Sequence, residues 1–266
     1  MDKTSVIGIL VGIAALGIGI LLKGVSPEAL INPAAFIIIF VGTAATVIIG
    51  FPTEVIKNIP KLFSIIFKED KHYDVKKIIH MFVEWAEAAR KEGILSLENR
   101  IDELDDSFLT SGIQLAVDGQ SPEFIRDIMM EKVDAMENRH QQGISVFTQA
   151  GTYAPTLGVL GAVVGLIAAL GNMGDIEALG HAISSAFIAT LFGIFSGYVL
   201  WHPFANKLKE KSKKEVLVKE IMIEGILSIT NGESPQLIKD KLGSYLSPAE
   251  LKKMDQEDSY AQEEKE

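Results

Sequence analysis

Four stretches of this chain carry no Asp, Glu, Lys or Arg: Val6–Leu22, Pro33–Phe51, Ile144–Leu170 and Ala182–Trp201. About 20 apolar residues in a helix cross the hydrocarbon core of a bilayer. A lipid-exposed backbone must satisfy its own hydrogen bonds, so a span is either a helix or a strand of a closed barrel. No alternating strand pattern occurs, and four helical spans are therefore predicted. The first run is a little short, and the third is long enough to tilt or to project from the bilayer. The N-terminal stretch "MDKTSVIGILVGIAALGIGILLKG" reads as a retained span and not as a signal peptide. "KGVSPEAL" follows it where a small-residue cleavage site would stand.

Composition agrees with segregated membrane and aqueous parts. Hydrophobic residues make up 48% and charged residues 23%, and the charges lie outside the four runs. A net charge of −10 argues against nucleic acid as a partner. The absence of Cys excludes disulfide frameworks and thiolate metal sites.

Basic residues orient the spans. The links 23–32 and 171–181 hold one Lys and none. Lys57, Lys61 and Lys68 follow the second span, and Lys207, Lys209, Lys211, Lys213 and Lys214 follow the fourth. The segments 52–143 and 202–266 are therefore expected in the cytoplasm, with both termini inside. Four parts result: spans one and two in 1–51, a cytoplasmic helical domain in 52–143, spans three and four in 144–201, and cytoplasmic C-terminal helices in 202–266. The expected fold is an all-α membrane protein. It has four transmembrane helices and a large helical cytoplasmic domain formed by the 52–143 loop and the C-terminal segment. So little mass outside argues against a receptor for external ligands.

Within the cytoplasmic parts, Ile78, Met81, Phe82 and Trp85 share one helical face. Gly93 and Gly112 read as breaks. Ser121 and Pro122 read as the N-cap and first residue of a helix. No further Pro occurs before Pro155, so one helix can run from the cytoplasm into the third span. The basic stretch 204–229 continues the fourth span inward. "SPQLIKDKL" (234–242) reads as a capped helix, and "DQEDSYAQEEKE" at the end as disordered.

The spans supply no Asp, Glu, Lys or Arg, whereas ion pathways and proton relays in membranes use such ionisable groups. His181 and His202, at the ends of the fourth span, read as interfacial residues. Thr148, Thr152 and Thr156 recur every four residues and so share a stripe. That stripe either lines a pathway or bonds back to the preceding turn and glues helices together. Pro155 beside it lacks an N–H and crowds the carbonyl of Gly151, which predicts a kink. The site must then be covered by protein or open to water. Gly8/Gly12, Gly161/Gly165 and Gly193/Gly197 are small-xxx-small pairs that predict close helix contact. From these residues, the chain can surround an ion-carrying group but does not provide one, and a partner helix must bring the carboxylate.

"AFIATLFGIFSGYVLWHP" (186–203) resembles the signature of the flagellar stator proteins of the MotA/PomA family. Ala186, Phe187, Ala189, Thr190, Leu191, Gly193, Phe195 and Pro203 occupy its positions. "AGTYAPTLGVLGAVVGL" resembles that family's third transmembrane helix, and "ARKEGILSLE" (89–98) its rotor-facing segment. The resemblance covers about residues 1–245. It implies a pentamer of such subunits around a MotB-like single-span partner that bears an essential Asp. It further implies ion flow driving torque on the rotor protein FliG, in the bacterial inner membrane.

By the same resemblance, Arg90 and Glu98 match a charged pair that engages FliG, and Pro155 and Pro203 match prolines that couple conformation to torque. Thr190 matches a hydroxyl near the partner's Asp. Thr152, Thr156 and Ala162 would line the ion pathway with it. Ala162 stands where sodium-driven members tend to carry Thr, which favours protons over sodium. The related ExbB/TolQ energy transducers are the alternative, but they typically have three spans. An enzyme is disfavoured, because no phosphate loop, nucleophile motif or His/Cys/carboxylate cluster occurs and "GIG" at 17–19 lies within a span. A self-contained transporter would carry its own polar groups at the midplane.

Overall fold

The structure is a computed structural model that describes residues 2–25, 27–69, 74–101, 106–171 and 174–263. Among the described residues every regular element is helical. Two elements dominate: α8, Pro122–Leu170, and α9, Ile176–Thr230. The third and fourth spans are their apolar parts, so a single helix does run from Pro122 into the third span. The chain divides into two compact units, 1–70 with 138–212 and 71–137 with 213–266. These do not follow the expected membrane boundaries, because 52–70, 138–143 and 202–212 fold with the spans.

The first unit contains α1 (Lys3–Leu22), a 3-10 turn (Pro27–Leu30), α2 (Pro33–Gly50), α3 (Thr53–Lys57) and α4 (Ile59–Phe67), with parts of α8 and α9. Asp2 caps α1 by accepting from the N–H groups of Thr4 at 3.0 Å and Ser5 at 3.3 Å. Its other oxygen meets Lys207 at 2.5 Å and Lys211 at 4.0 Å. The Lys207 ammonium holds this carboxyl well below the usual range. The N-terminus is thereby tied to the helix that leaves the fourth span. Asn32 caps α2, accepting from Ala35 N–H at 3.1 Å, and donates through Nδ2 to Ser185 Oγ at 2.5 Å. Ala35, Ile39, Thr43 and Val47, four residues apart, form the buried stripe of α2. Phe63, Phe147 and Phe204 pack edge to face at 5.1–6.2 Å and hold α4, α8 and α9 together.

The second unit contains α5 (Val75–Glu92), a 3-10 turn (Ile94–Leu97), α6 (Glu98–Ile101) and α7 (Ser107–Val117). The start of α8, the end of α9, α10 (Pro235–Gly243) and α11 (Pro248–Glu263) complete it. Ile78, Phe82 and Trp85 are buried as their spacing predicts, with Met81 partly covered. Ser121 and Ser234 cap α8 and α10 through their hydroxyls. Gly93 ends α5 at φ +87°, a conformation that favours glycine.

Two expectations are corrected. Gly112 does not break a helix but sits inside α7. A Cβ there would collide with Ile226 and lie 2.8 Å from Met129 Cε, so the glycine is a packing notch. The acidic tail is not disordered through 255–263 but continues α11. Met254 is fully buried, and ion pairs Lys239–Asp255 at 3.1 Å and Lys76–Glu257 at 3.0 Å anchor the helix. Residues 264–266 lie outside the described residues.

Lys219 is buried and pairs with Asp106 at 2.6 Å, while Asp106 also caps α7 through the N–H groups of Phe108 and Leu109. Burial pushes the Asp106 carboxyl up, but Lys219 and the two N–H donors outweigh it and hold it below its ordinary value. The pair therefore stabilises the fold above the unfolded-state pKa of Asp106, and that stability is lost as pH falls through the lower folded value. Lys219→Met should cost about 2 kcal/mol, less than a fully buried broken pair because Asp106 still reaches water. It should also flatten the acid limb of the stability–pH curve. Thermal unfolding between pH 3 and 7 checks both.

Candidate ion-pathway and coupling site

The centre of the first unit is the crossing of α8 and α9, and it is built on small residues. A Cβ on Gly158 would fall 2.9 Å from the carbonyl oxygen of Ala189 and 3.0 Å from Gly193 Cα. One on Gly193 would fall 2.8 Å from both the Ala154 oxygen and Gly158 Cα. Backbone therefore lies on backbone, a contact no side chain larger than hydrogen allows. Gly161 and Gly165 extend the seam against the methyls of Ala189 and Ala186, both at 3.1 Å. Two of the three small-residue pairs read from the sequence thus lie in one interface. Of the third, Gly12 approaches Val199 and Gly8 faces open space.

At the end of this seam Pro155 lies inside α8. A Cβ on Gly197 would sit 2.7 Å from Pro155 Cγ and 2.8 Å from the Gly151 oxygen, the carbonyl that Pro155 leaves without its N–H donor. Covering by protein, one of the two surroundings expected there, is what the structure has. Gly151 also receives the His202 ring, which a Cβ would meet at 2.8 Å. The segment of α9 that packs here, Ser196–Trp201, is a π turn, and Pro203 stands two residues beyond its end. A second π turn occupies Ile37–Val41 of α2. Such single-turn widenings cluster at functional sites in helices. Nothing in the composition of either segment announces it.

The hydroxyl stripe is real. Thr148, Thr152 and Thr156 all stand on an exposed face of α8. Each donates to the carbonyl four residues back, at 3.1, 3.0 and 3.4 Å. Their protons are used internally, and their remaining lone pairs point outward as acceptors. Thr190, half-buried on α9, donates likewise to Ala186 at 3.3 Å. It directly follows Ala189, which packs on Gly158 and Gly161. Ala162 is half-buried beside Gly161. The structure thus groups Pro155, Thr190 and Ala162 around the glycine seam and puts Thr152 and Thr156 on the open face next to it. Arg90 and Glu98 are exposed in the second unit, flanking Gly93 and the 3-10 turn.

Sequence reasoning did not find Trp201 or Thr43. Trp201 packs on three of the first unit's apolar clusters, and its Nε1 is buried without a hydrogen-bond partner among the described residues, as is Thr43 Oγ1. No cluster of His, Cys, Asp or Glu among the described residues is placed to hold a metal ion.

The chain is similar in sequence and fold to known proteins. Residues 100–221 match the sequence profile of the MotA/TolQ/ExbB proton channel family. Over 246 residues the chain is 61% identical to Motility protein A of Bacillus subtilis, covering 92% of this chain and 91% of the relative. It belongs to the MotA/TolQ/ExbB proton channel family. This family member superposes on the flagellar MotAB stator complex of Bacillus subtilis with a TM-score of 0.90. That match is 60% identical and covers 95% of this chain and 99% of the other. It matches a chain of MotAB from C. jejuni with a TM-score of 0.88, at 30% identity, over 93% of this chain and 97% of the other. The expected all-α architecture with four spans is thereby that of a stator and ion-channel family, not of an enzyme family, and the chain is a multi-pass membrane protein.

Proposed function

We propose that this chain is the housing subunit of a flagellar stator in the bacterial inner membrane. Several copies, five by resemblance, surround a MotB-like partner whose single span carries the ion-binding Asp. One observation carries the reading. The four spans hold no Asp, Glu, Lys, Arg or His, yet an outward stripe of Thr acceptors runs beside a backbone-tight crossing that ends in a proline and a π turn. A partner's carboxylate among such walls has its neutral form favoured, so its affinity for a proton rises. Protonation removes a charge from a low-dielectric site, and that change biases a bistable helix crossing. Pro155 and Pro203 carry the coupling, with Thr152, Thr156, Ala162 and Thr190 along the path. Protons are favoured over sodium by Ala162. Arg90 and Glu98 meet the rotor protein FliG.

Both termini lie in the cytoplasm in this reading. The lysines after the second and fourth spans support it, as does the bond of Asp2 to Lys207. An ExbB/TolQ-like role is less well supported, because four candidate spans occur where those relatives typically have three.

Reconstitution tests the proposal. Liposomes holding this chain alone should be silent to an imposed proton gradient. Liposomes holding it with the single-span partner should conduct protons and not sodium, and the partner's Asp→Asn variant should be silent. Vigorous gated proton flux through the chain alone would refute the housing role.

A further inference from the structure

In the second unit a cleft of about 170 Å³ opens between the end of α5, the 3-10 turn after it and the end of α9. Ala89, Ile94 and Ile229 give it apolar walls, and Arg90, Thr230 and Glu233 give it polar groups. The Glu233 carboxylate is only half used. Its Oε1 accepts from Lys241 at 3.4 Å, but Lys241 is held more closely by Glu224, at 2.6 Å. Its Oε2 is buried and accepts from no described residue. A buried carboxylate oxygen without a donor is costly, and an arriving cation would remove that cost. Thr230 adds to the demand, since its proton is spent on the Ile226 carbonyl at 2.9 Å and only its lone pairs remain. The C-terminal end of α9 contributes partial negative charge from its last carbonyls. This wall of the cleft therefore calls for donors. The apolar walls suit an aliphatic stem, as a Lys or Arg side chain presents behind its charge. Arg90, exposed and engaged by no described residue, offers a cation on the same cleft.

We propose that this cleft receives a lysine or arginine side chain of the rotor protein, its charge on Glu233 and its stem on Ala89, Ile94 and Ile229, while Arg90 takes a neighbouring acidic residue. This rests on the rotor contact proposed above and adds Glu233 to it. A rotor segment with adjacent basic and acidic residues is then held in one register, because reversing it sets like charges together.

The test uses the complete stator complex in nanodiscs, titrated with purified FliG across a range of salt. Arg90→Ala and Glu233→Gln should each weaken binding about tenfold or more, and Glu233→Gln should flatten its salt dependence. Ala89→Leu, which fills the cleft and removes no charge, should weaken binding and leave the salt dependence unchanged. Glu233→Gln and Ala89→Leu should keep a cooperative unfolding transition and the parent proton flux. If Arg90→Ala binds as the parent does, the rotor reading fails and this inference falls with it. If Arg90→Ala weakens binding while Glu233→Gln and Ala89→Leu do not, the rotor reading stands and the cleft assignment is overturned. Tighter binding by Glu233→Gln would also overturn it, since the cleft would then be the resting seat of Arg90.

Discussion

Pro155→Ala should leave the complex assembled and abolish swimming. The variant restores an N–H where α8 has none, and that donor can take the Gly151 carbonyl back into the helical ladder. At present this carbonyl lies against Gly197, whose own Cβ would be 2.8 Å away, next to the π turn Ser196–Trp201. Capturing it would stabilise one arrangement of the crossing over any other. Folding then gains and switching loses, the usual outcome when a strained functional site is relaxed. The switching margin is narrow. One proton crossing at 100 mV releases about 2.3 kcal/mol, and a new helical hydrogen bond of about 1 kcal/mol is a large part of that. Co-purification of the partner and swimming speed are the measurements. Assembly with parent-like swimming would remove Pro155 from the mechanism.

Gly193→Leu should prevent a stable fold. The site has no room even for a methyl, because the nearest atoms are the Ala154 oxygen and the backbone of Gly158. Backbone cannot rotate away as a side-chain tip can, so the helices must separate along the seam. The cost should exceed the ~1–3 kcal/mol typical of overpacked cores. The detergent-solubilised protein should lose its cooperative melt and fall in abundance. Gly17→Leu is the control, since a Cβ there has nothing within 4 Å in this chain. A parent-like melt for Gly193→Leu would mean the crossing is looser than its geometry requires.

Much of this architecture was legible in the sequence because lipid leaves few choices. Uncharged runs become spans, and Ser-Pro pairs become helix starts, for reasons local to those residues. Gly112 failed because its role is set by Ile226 and Met129, both remote in sequence. The tail failed because Met254, Asp255 and Glu257 find partners on other helices, which composition cannot register. At the site, the Thr stripe and the glycine pairs follow from helical period. The two π turns do not, since Ile37–Val41 and Ser196–Trp201 read as ordinary apolar helix. Trp201 and Thr43 escaped for the same kind of reason, because an unsatisfied atom is defined only by what surrounds it.

A widened turn holds one residue more than the turn it replaces, so Ser196–Trp201 is a dislocation in the hydrogen-bond lattice of α9. Beyond it, side chains are set about one residue's rotation, ~100°, from where an unbroken helix would put them. Pro203, two residues past this dislocation, has no donor with which to reseat the ladder there. If the fault migrates by one residue, only the residue it passes turns by ~100° and shifts by ~1.5 Å along the axis, while the helix on either side keeps its place and neither end need unravel.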